Sequence, residues 1–491
     1  LNLSLFIPEI ALAATAVLVI LLDLFVKQRI VIKTVSLIGL LIAGVFSVMM
    51  WGDNNPSLFN NMLAADDFAV FFQLFFADVA FLLILASTDY IKKLERFQAE
   101  YYALILFSTA GMMLMAAATD LITVFVSLEL VNISLYSLVG LLKNKASTES
   151  ALKYLLLSAI ASAVLLYGMA LVFGTTGQTN LLLIFRATVD FGYGTLVSQP
   201  ALLIGIVFMA AGFGFKIAAV PFQLWVPDVY EGAPTTITAF LSVGSKAAGF
   251  AVIMRVFLEA FYRGFSNEWG MIFAVLSVIS MIIGNVAAIP QTNIKRLLGY
   301  SSIAQAGYIM VGLAAAGLFT LTGSTVYTIG IQAKSGILFF LASYALTNLG
   351  AFIAIIAITN KTGTDFIEDF AGMGKRSPLL ALALTLCLVS LIGIPPAAGF
   401  MAKFFIFSQA IQNGLLWLVI IAVINSVISA YYYLRVVKVM WFSEPCTAEK
   451  IPSSLAPKIA LLICCAGVLL LGIIPGLLMK LAETAGITLG F

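Results

Sequence analysis

The sequence predicts an all-α polytopic membrane protein of about 14 transmembrane helices, with two inverted five-helix repeats that each contain a broken helix. Three observations carry that expectation. The chain is 62% hydrophobic and only 10% charged, with a mean hydropathy of +1.09, far from the roughly 45–50% apolar and 25% charged make-up of soluble domains. Its apolar runs are about 20 residues long, enough to cross the hydrocarbon core. Two of those runs are interrupted by proline beside a lysine, at Lys216–Pro221 and at Pro395–Pro396–Lys403.

Taken in order, the spans fall at about 4–22, 30–50, 69–88, 101–118, 121–142, 153–174, 201–230 (broken), 236–259, 271–289, 298–317, 327–358, 378–408 (broken), 415–440 and 457–479. The first segment reads as a span and not as a removed signal peptide, because a charged loop follows it and no small-residue cleavage site does. The leucine at position 1 suggests a trimmed or alternatively initiated chain. Basic residues test the count independently. With the amino terminus outside, sixteen lie in cytoplasmic loops and three outside. That bias fits an even number of spans with both ends outside.

Residues 1–100 supply three leading helices, 101–260 a first five-helix unit, 271–440 a second, and 441–491 a loop and the final helix. In each unit the third helix carries a lysine, Lys153 or Lys334, expected near its cytoplasmic end, and the fourth helix is the broken one. The fifth carries a buried base, Lys246 or Arg435. An odd number of spans per unit inserts the two units with opposite topology.

The broken helices are the first candidates for function. Proline removes a backbone donor and frees a carbonyl about one turn back. Such breaks at membrane depth survive only inside protein or beside a wet cavity. Ionisable side chains at that depth follow the same logic. Glu129 lies mid-span, and Lys216, Lys246, Lys334 and Lys403 lie deep in theirs, with Lys153 nearer a helix end. One glutamate and four deep lysines left unpaired would cost roughly 12–17 kcal/mol, so they are expected to be paired, hydrated or used. Burial disfavours a charged lysine and a nearby carboxylate favours it, so moving the carboxylate switches the lysine between holding and releasing a proton. Proton relay is therefore the expected chemistry. Lys153 also fits snorkelling to the interface, and Asp78 fits a helix or subunit contact as well as transport.

Other classes are disfavoured. The chain has no histidine, and its four cysteines, Cys387, Cys446, Cys464 and Cys465, show no C-x-x-C spacing. Iron–sulfur and zinc sites lack their usual ligand pattern, and no glycine-rich nucleotide loop is present. No metal or cofactor site, and no nucleic-acid partner, is expected.

The glutamate span, the run Lys216-Ile-Ala-Ala-Val-Pro-Phe-Gln-Leu-Trp225-Val-Pro-Asp228-Val-Tyr-Glu-Gly-Ala-Pro234 and the run Asn293-Ile-Lys-Arg-Leu-Leu-Gly-Tyr-Ser-Ser302-Ile-Ala-Gln-Ala-Gly resemble the antiporter-like membrane subunits of respiratory complex I over nearly the whole chain. Among them the chain looks most like the N type. Lys403 stands where the M type has glutamate, and no long lateral helix follows the fourteenth span as in the L type.

The resemblance implies a proton-translocating membrane-arm subunit of an NADH-quinone oxidoreductase, an enzyme subunit without a redox centre of its own. Glu129 and Lys216 would be the input pair, Lys246 the central connection and Lys403 the group exchanging protons toward the outer side. Lys334 would stand in for a histidine that relatives place in the central axis. NAD, FMN, iron–sulfur clusters and quinone would belong to the whole complex. Its partners would be other antiporter-like and small membrane-arm subunits, a peripheral redox arm and the lipid bilayer of a bacterial inner membrane. Two alternatives stay open: a subunit of a multisubunit monovalent cation/proton antiporter, and a related complex with a different electron donor.

Overall fold

Asparagine and aspartate start the helices where the apolar runs begin. The structure, a computed structural model, describes residues 3–25, 29–52, 57–94, 97–190, 199–262, 265–318, 325–445, 451 and 454–489, without the side chains of 93, 190 and 325–331. Cys446 lies outside the described residues. Helices α1 (Ile7–Phe25), α2 (Arg29–Met49) and α3 (Asp67–Ala86) lead. Then come α4 (Gln98–Ala117), α5 (Leu121–Val139), α6 (Lys145–Thr176), α7 (Leu181–Asp190), α8 (Pro200–Ile217), α9 (Trp225–Gly232), α10 (Thr235–Phe240) and α11 (Lys246–Glu259). The second half holds α12 (Ser266–Ala288), α13 (Ile294–Gly317), α14 (Thr325–Thr362), α15 (Met373–Arg376), α16 (Pro378–Ile392), α17 (Ala398–Gln412), α18 (Leu416–Phe442), α19 (Leu455–Ile473) and α20 (Gly476–Thr488).

Side-chain oxygens cap the first turns. Asp66 accepts from the Ala69 amide at 2.8 Å, Asp120 from Ile122 at 2.9 Å and Asn144 from Ser147 at 2.8 Å. Each satisfies a donor with no partner inside its helix.

Among the described residues, thirteen helices are long and apolar enough to cross a membrane. The interrupted pair α16 and α17 supplies a fourteenth, because neither half reaches that length alone. The count of about 14 spans therefore holds, with breaks in α8–α9 and α16–α17. Three short helices were not foreseen: α7, α15, and α20, which packs on α3 and α14.

Burial sorts the spans into centre and rim. The most apolar windows of 235–259, α13 and α14 are 100%, 94% and 89% buried, against 28% in both α1 and α6. Centre and rim helices alike are apolar, so only packing separates them. The centre is where lysines and polar side chains meet.

The two ends of the bundle are held by different ion networks. At one rim Lys153 bonds Asp228 and Glu149, each at 2.9 Å, and Arg296 bonds Asp228 at 2.9 Å and Glu231 at 2.8 Å. At the opposite rim Arg255 is gripped by Asp66 and by Glu259, the latter at 2.9 Å. Lys334 lies at this second rim, donating to the Leu489 carbonyl with its ammonium 6.0 Å from the Tyr262 ring. The expectation that Lys153 and Lys334 both sit near cytoplasmic ends is thereby corrected. The units run in opposite directions, and equivalent positions must fall on opposite rims. Arg435 also departs from expectation. It is half-buried and caps the carbonyls of Ile289, at 2.7 Å, and Gln291 just past α12.

Candidate functional site: a buried polar row across the bundle

Glu129 sits on α5 facing α6, where the Ser162 hydroxyl donates to its carboxylate at 2.5 Å. One turn on, Asn132 donates to the same Oε1 at 3.2 Å. Residues three apart share a helix face, so the spacing places the amide beside the acid. Lys216 then donates to the Asn132 carbonyl oxygen at 2.7 Å. Glu129 and Lys216 are thus joined through Asn132, and among the described residues no direct salt bridge links them. The sequence reading expected a two-member pair; the site has three members.

Lys216 reaches this position because α8 stops there. Ala218 takes a left-handed conformation with φ 61°, uncommon for a residue with a Cβ, and Pro221 follows. Trp225, the first residue of α9, donates its indole N–H at 3.1 Å to the Phe215 carbonyl, which also takes the Ala218 amide at 3.1 Å. Small residues bring the next helix close. A Cβ on Gly249 would lie 2.8 Å from Ile217 Cγ2 and 3.2 Å from Lys216 Cγ, so only glycine allows α11 to pack on the lysine stem one turn from Lys246.

Lys246 begins α11 directly after a π-turn at Leu241–Ser245. Such turns insert an extra residue and are frequent at functional sites. Lys246 is 3% exposed, and its ammonium donates to the Ser302 carbonyl at 2.6 Å and hydroxyl at 2.8 Å. Gln305 lies one turn along α13 from Ser302 and donates to the Leu391 carbonyl at 3.0 Å.

That carbonyl belongs to the second break. Gly393, at φ 93°, closes α16, and its last carbonyls lose their helical partners. Lys403 takes them up, donating to Leu391 at 3.2 Å, Ile392 at 2.8 Å and the Ser426 hydroxyl at 2.7 Å. Its ammonium stands 4.4 Å from the centre of the Tyr308 ring, within cation–π range. The break at Pro395–Pro396 thus creates acceptors, and the lysine one helix later fills them.

The row runs Glu129, Asn132, Lys216, Lys246, Ser302, Gln305, Leu391 carbonyl, Lys403. Of the residues expected in it, Glu129, Lys216, Lys246 and Lys403 come together on its course. Lys153 and Lys334 stand at opposite rims, outside it. Asn132, Ser162, Ser302, Gln305, Ser426 and Tyr308 were not singled out. A polar residue three positions from a buried charge, as at Asn132, is the signal that would have found the first of them. Among the described residues no cluster of three or more histidine, cysteine or acidic side chains is placed to hold a metal.

Two interrupted helices and a row of buried lysines define a membrane subunit of the antiporter type. The family model described as NADH:quinone oxidoreductase/Mrp antiporter, transmembrane, matches residues 118–429. The NADH-quinone oxidoreductase subunit N of Dehalococcoides mccartyi is 48% identical over 98% of this chain and 99% of its own. That of Trichlorobacter lovleyi is 44% identical over 99% and 97%. A chain of respiratory complex I from Thermus thermophilus with bound aureothin superposes with a TM-score of 0.79 at 31% identity, covering 97% of this chain and 99% of that one. A chain of the Mrp complex from Dietzia superposes at 0.84 with 21% identity, covering 100% and 98%, and shares the fold. The chain belongs to the NADH-quinone oxidoreductase subunit N family.

Proposed function

We propose that the row from Glu129 to Lys403 is the path along which this chain, a membrane-arm subunit of a proton-translocating NADH:quinone oxidoreductase, carries protons. The observation that carries the reading is Asn132 bridging Glu129 to Lys216. An amide that accepts from the lysine and donates to the acid lets the charge on one be felt by the other without a locked ion pair. Such a buried lysine holds its proton while the carboxylate is near and charged, and releases it when the carboxylate is neutralised or withdrawn. Lys246 and Lys403 each rest on carbonyl and hydroxyl oxygens. These acceptors stabilise a charged ammonium without a resident acid, so a proton arriving there is held and can be handed on. Glu129 and Lys216 act as the input pair, Lys246 as the central connection and Lys403 as the group nearest the outer side. Lys153 anchors the first break through Asp228 at one rim, and Lys334 holds the far end of α14.

The chain divides into the leading helices (1–100), the two inverted units (101–260 and 271–440) and a closing segment (441–491). The redox chemistry, with NAD, FMN, iron–sulfur clusters and quinone, belongs to a peripheral arm and neighbouring subunits. The complex resides in a bacterial inner membrane, with both ends of this chain on the outer side. Its likeness to the Mrp chain is one of fold, and no feature of the row favours cation exchange.

The test is made in the intact complex. Glu129→Gln and Lys216→Ala are expected to lower both proton pumping and coupled quinone reduction. Unchanged pumping in both variants would remove the assigned roles.

A further inference from the structure

We propose that the face of the bundle centred on Asp78 docks a transmembrane helix of a different subunit that presents a lysine or arginine at mid-membrane. Asp78 lies near the middle of α3 (Asp67–Ala86), so its carboxylate stands far from either interface, too short to snorkel. Unlike Glu129, Glu9 or Glu259, it is exposed on the outside of the bundle, and among the described residues no hydrogen bond or ion pair satisfies it.

Two apolar grooves meet at this side chain. One, of about 430 Å³, runs between α2 and α3 past Leu41, Val45 and Phe81. The other, of about 300 Å³, runs between α3, α14, α19 and α20 past Leu346, Leu470 and Leu481. Among the described residues, Asp78 is the one charged side chain lining either groove. The α2 wall points outward, with Leu41, Val45 and Val48 at 56%, 58% and 59% exposed. Apolar furrows flanking a single carboxylate match the apolar face of a helix with one cation at its centre.

Chemistry narrows the occupant. Lipid tails offer no donor, and a carboxylate facing them at the bilayer centre is strongly disfavoured. A second copy of this chain across a two-fold axis through the face would set Asp78 against Asp78, like charge on like. A neutral polar helix would bond the carboxylate and leave its charge uncompensated. A basic side chain meets both needs.

The experiment uses the whole complex in native membranes. A photoreactive phenylalanine analogue is placed at Val45 or Leu470 with Asp78 intact, and crosslinked products are identified by mass spectrometry. The expected product joins a different subunit of the purified complex, within about one helical turn of a membrane-embedded lysine or arginine. Its yield should fall about tenfold with Asp78→Ala. Asp78→Lys should abolish it, and exchanging that base for aspartate in the partner should restore it. Adducts only to phospholipid, only to a second copy of this chain, or only to a helix without a basic residue would overturn the proposal. So would a yield that Asp78→Ala leaves unmoved. Because the first crosslink is read with Asp78 in place, failure of a variant to assemble does not remove the test.

Discussion

Asn132 is the residue on which the site turns. It gives Lys216 an acceptor at 2.7 Å and Glu129 a donor at 3.2 Å, two bonds a carboxamide makes at once because it holds both kinds of group. Asn132→Ala should leave assembly intact on native gels and slow coupled proton translocation by about tenfold, less than the ~100-fold or more that groups transferring the proton themselves contribute. Asn132→Ser, which keeps a donor and an acceptor, should retain part of the rate. Equal pumping by the alanine variant and the parent would show that the bridge is structural. Glu129 and the deep lysines were legible from the sequence, since ionisable groups in apolar spans stand out. Asn132, Ser302 and Gln305 were not, because polar neutral residues recur throughout these helices and only packing shows which ones face the lysines.

At the scale of the helix, interruption makes sites. Where α8 ends, the Phe215 carbonyl is taken by Trp225; where α16 ends, the carbonyls of Leu391 and Ile392 are taken by Lys403. Both breaks could be read from proline beside lysine, whereas the π-turn before Lys246 has no such sequence mark. Helix ends also hold the bundle together. Arg255 donates to the Ala116 carbonyl at the end of α4 and to Asp66, the N-cap of α3, from within α11. Its guanidinium is 1% exposed and lies 4.8 Å from the Phe68 ring. Arg255→Ala would leave two carboxylates and a carbonyl without their donor. Removing one partner of a buried pair costs about 3–5 kcal/mol, so the purified complex should melt at a distinctly lower temperature. Arg255→Lys should recover only part of the loss, since lysine lacks the planar fork that grips Asp66. An unchanged melting profile for the alanine variant would show that the cluster bears no strain of assembly.

The molecule as a whole is two antiparallel units meeting at a row of polar side chains. Span number, the two breaks and the inverted arrangement were readable from hydropathy, proline placement and the positive-inside bias. The rim of Lys334 followed from the same inversion, which sets it opposite Lys153, so expecting both lysines at cytoplasmic ends ran against the inverted arrangement itself. The short helix α20 was not legible: at 13 residues it is too short to register as a span, and it is held by packing on α14 and α3. The central claim is that protons cross by way of the lysine between the two units. The most direct measurement is the proton-to-electron ratio of the intact complex in sealed membrane vesicles, comparing Lys246→Met with the parent. The variant should assemble and lose coupled pumping by about tenfold or more. A proton-to-electron ratio and a pumping rate equal to the parent's would contradict the claim.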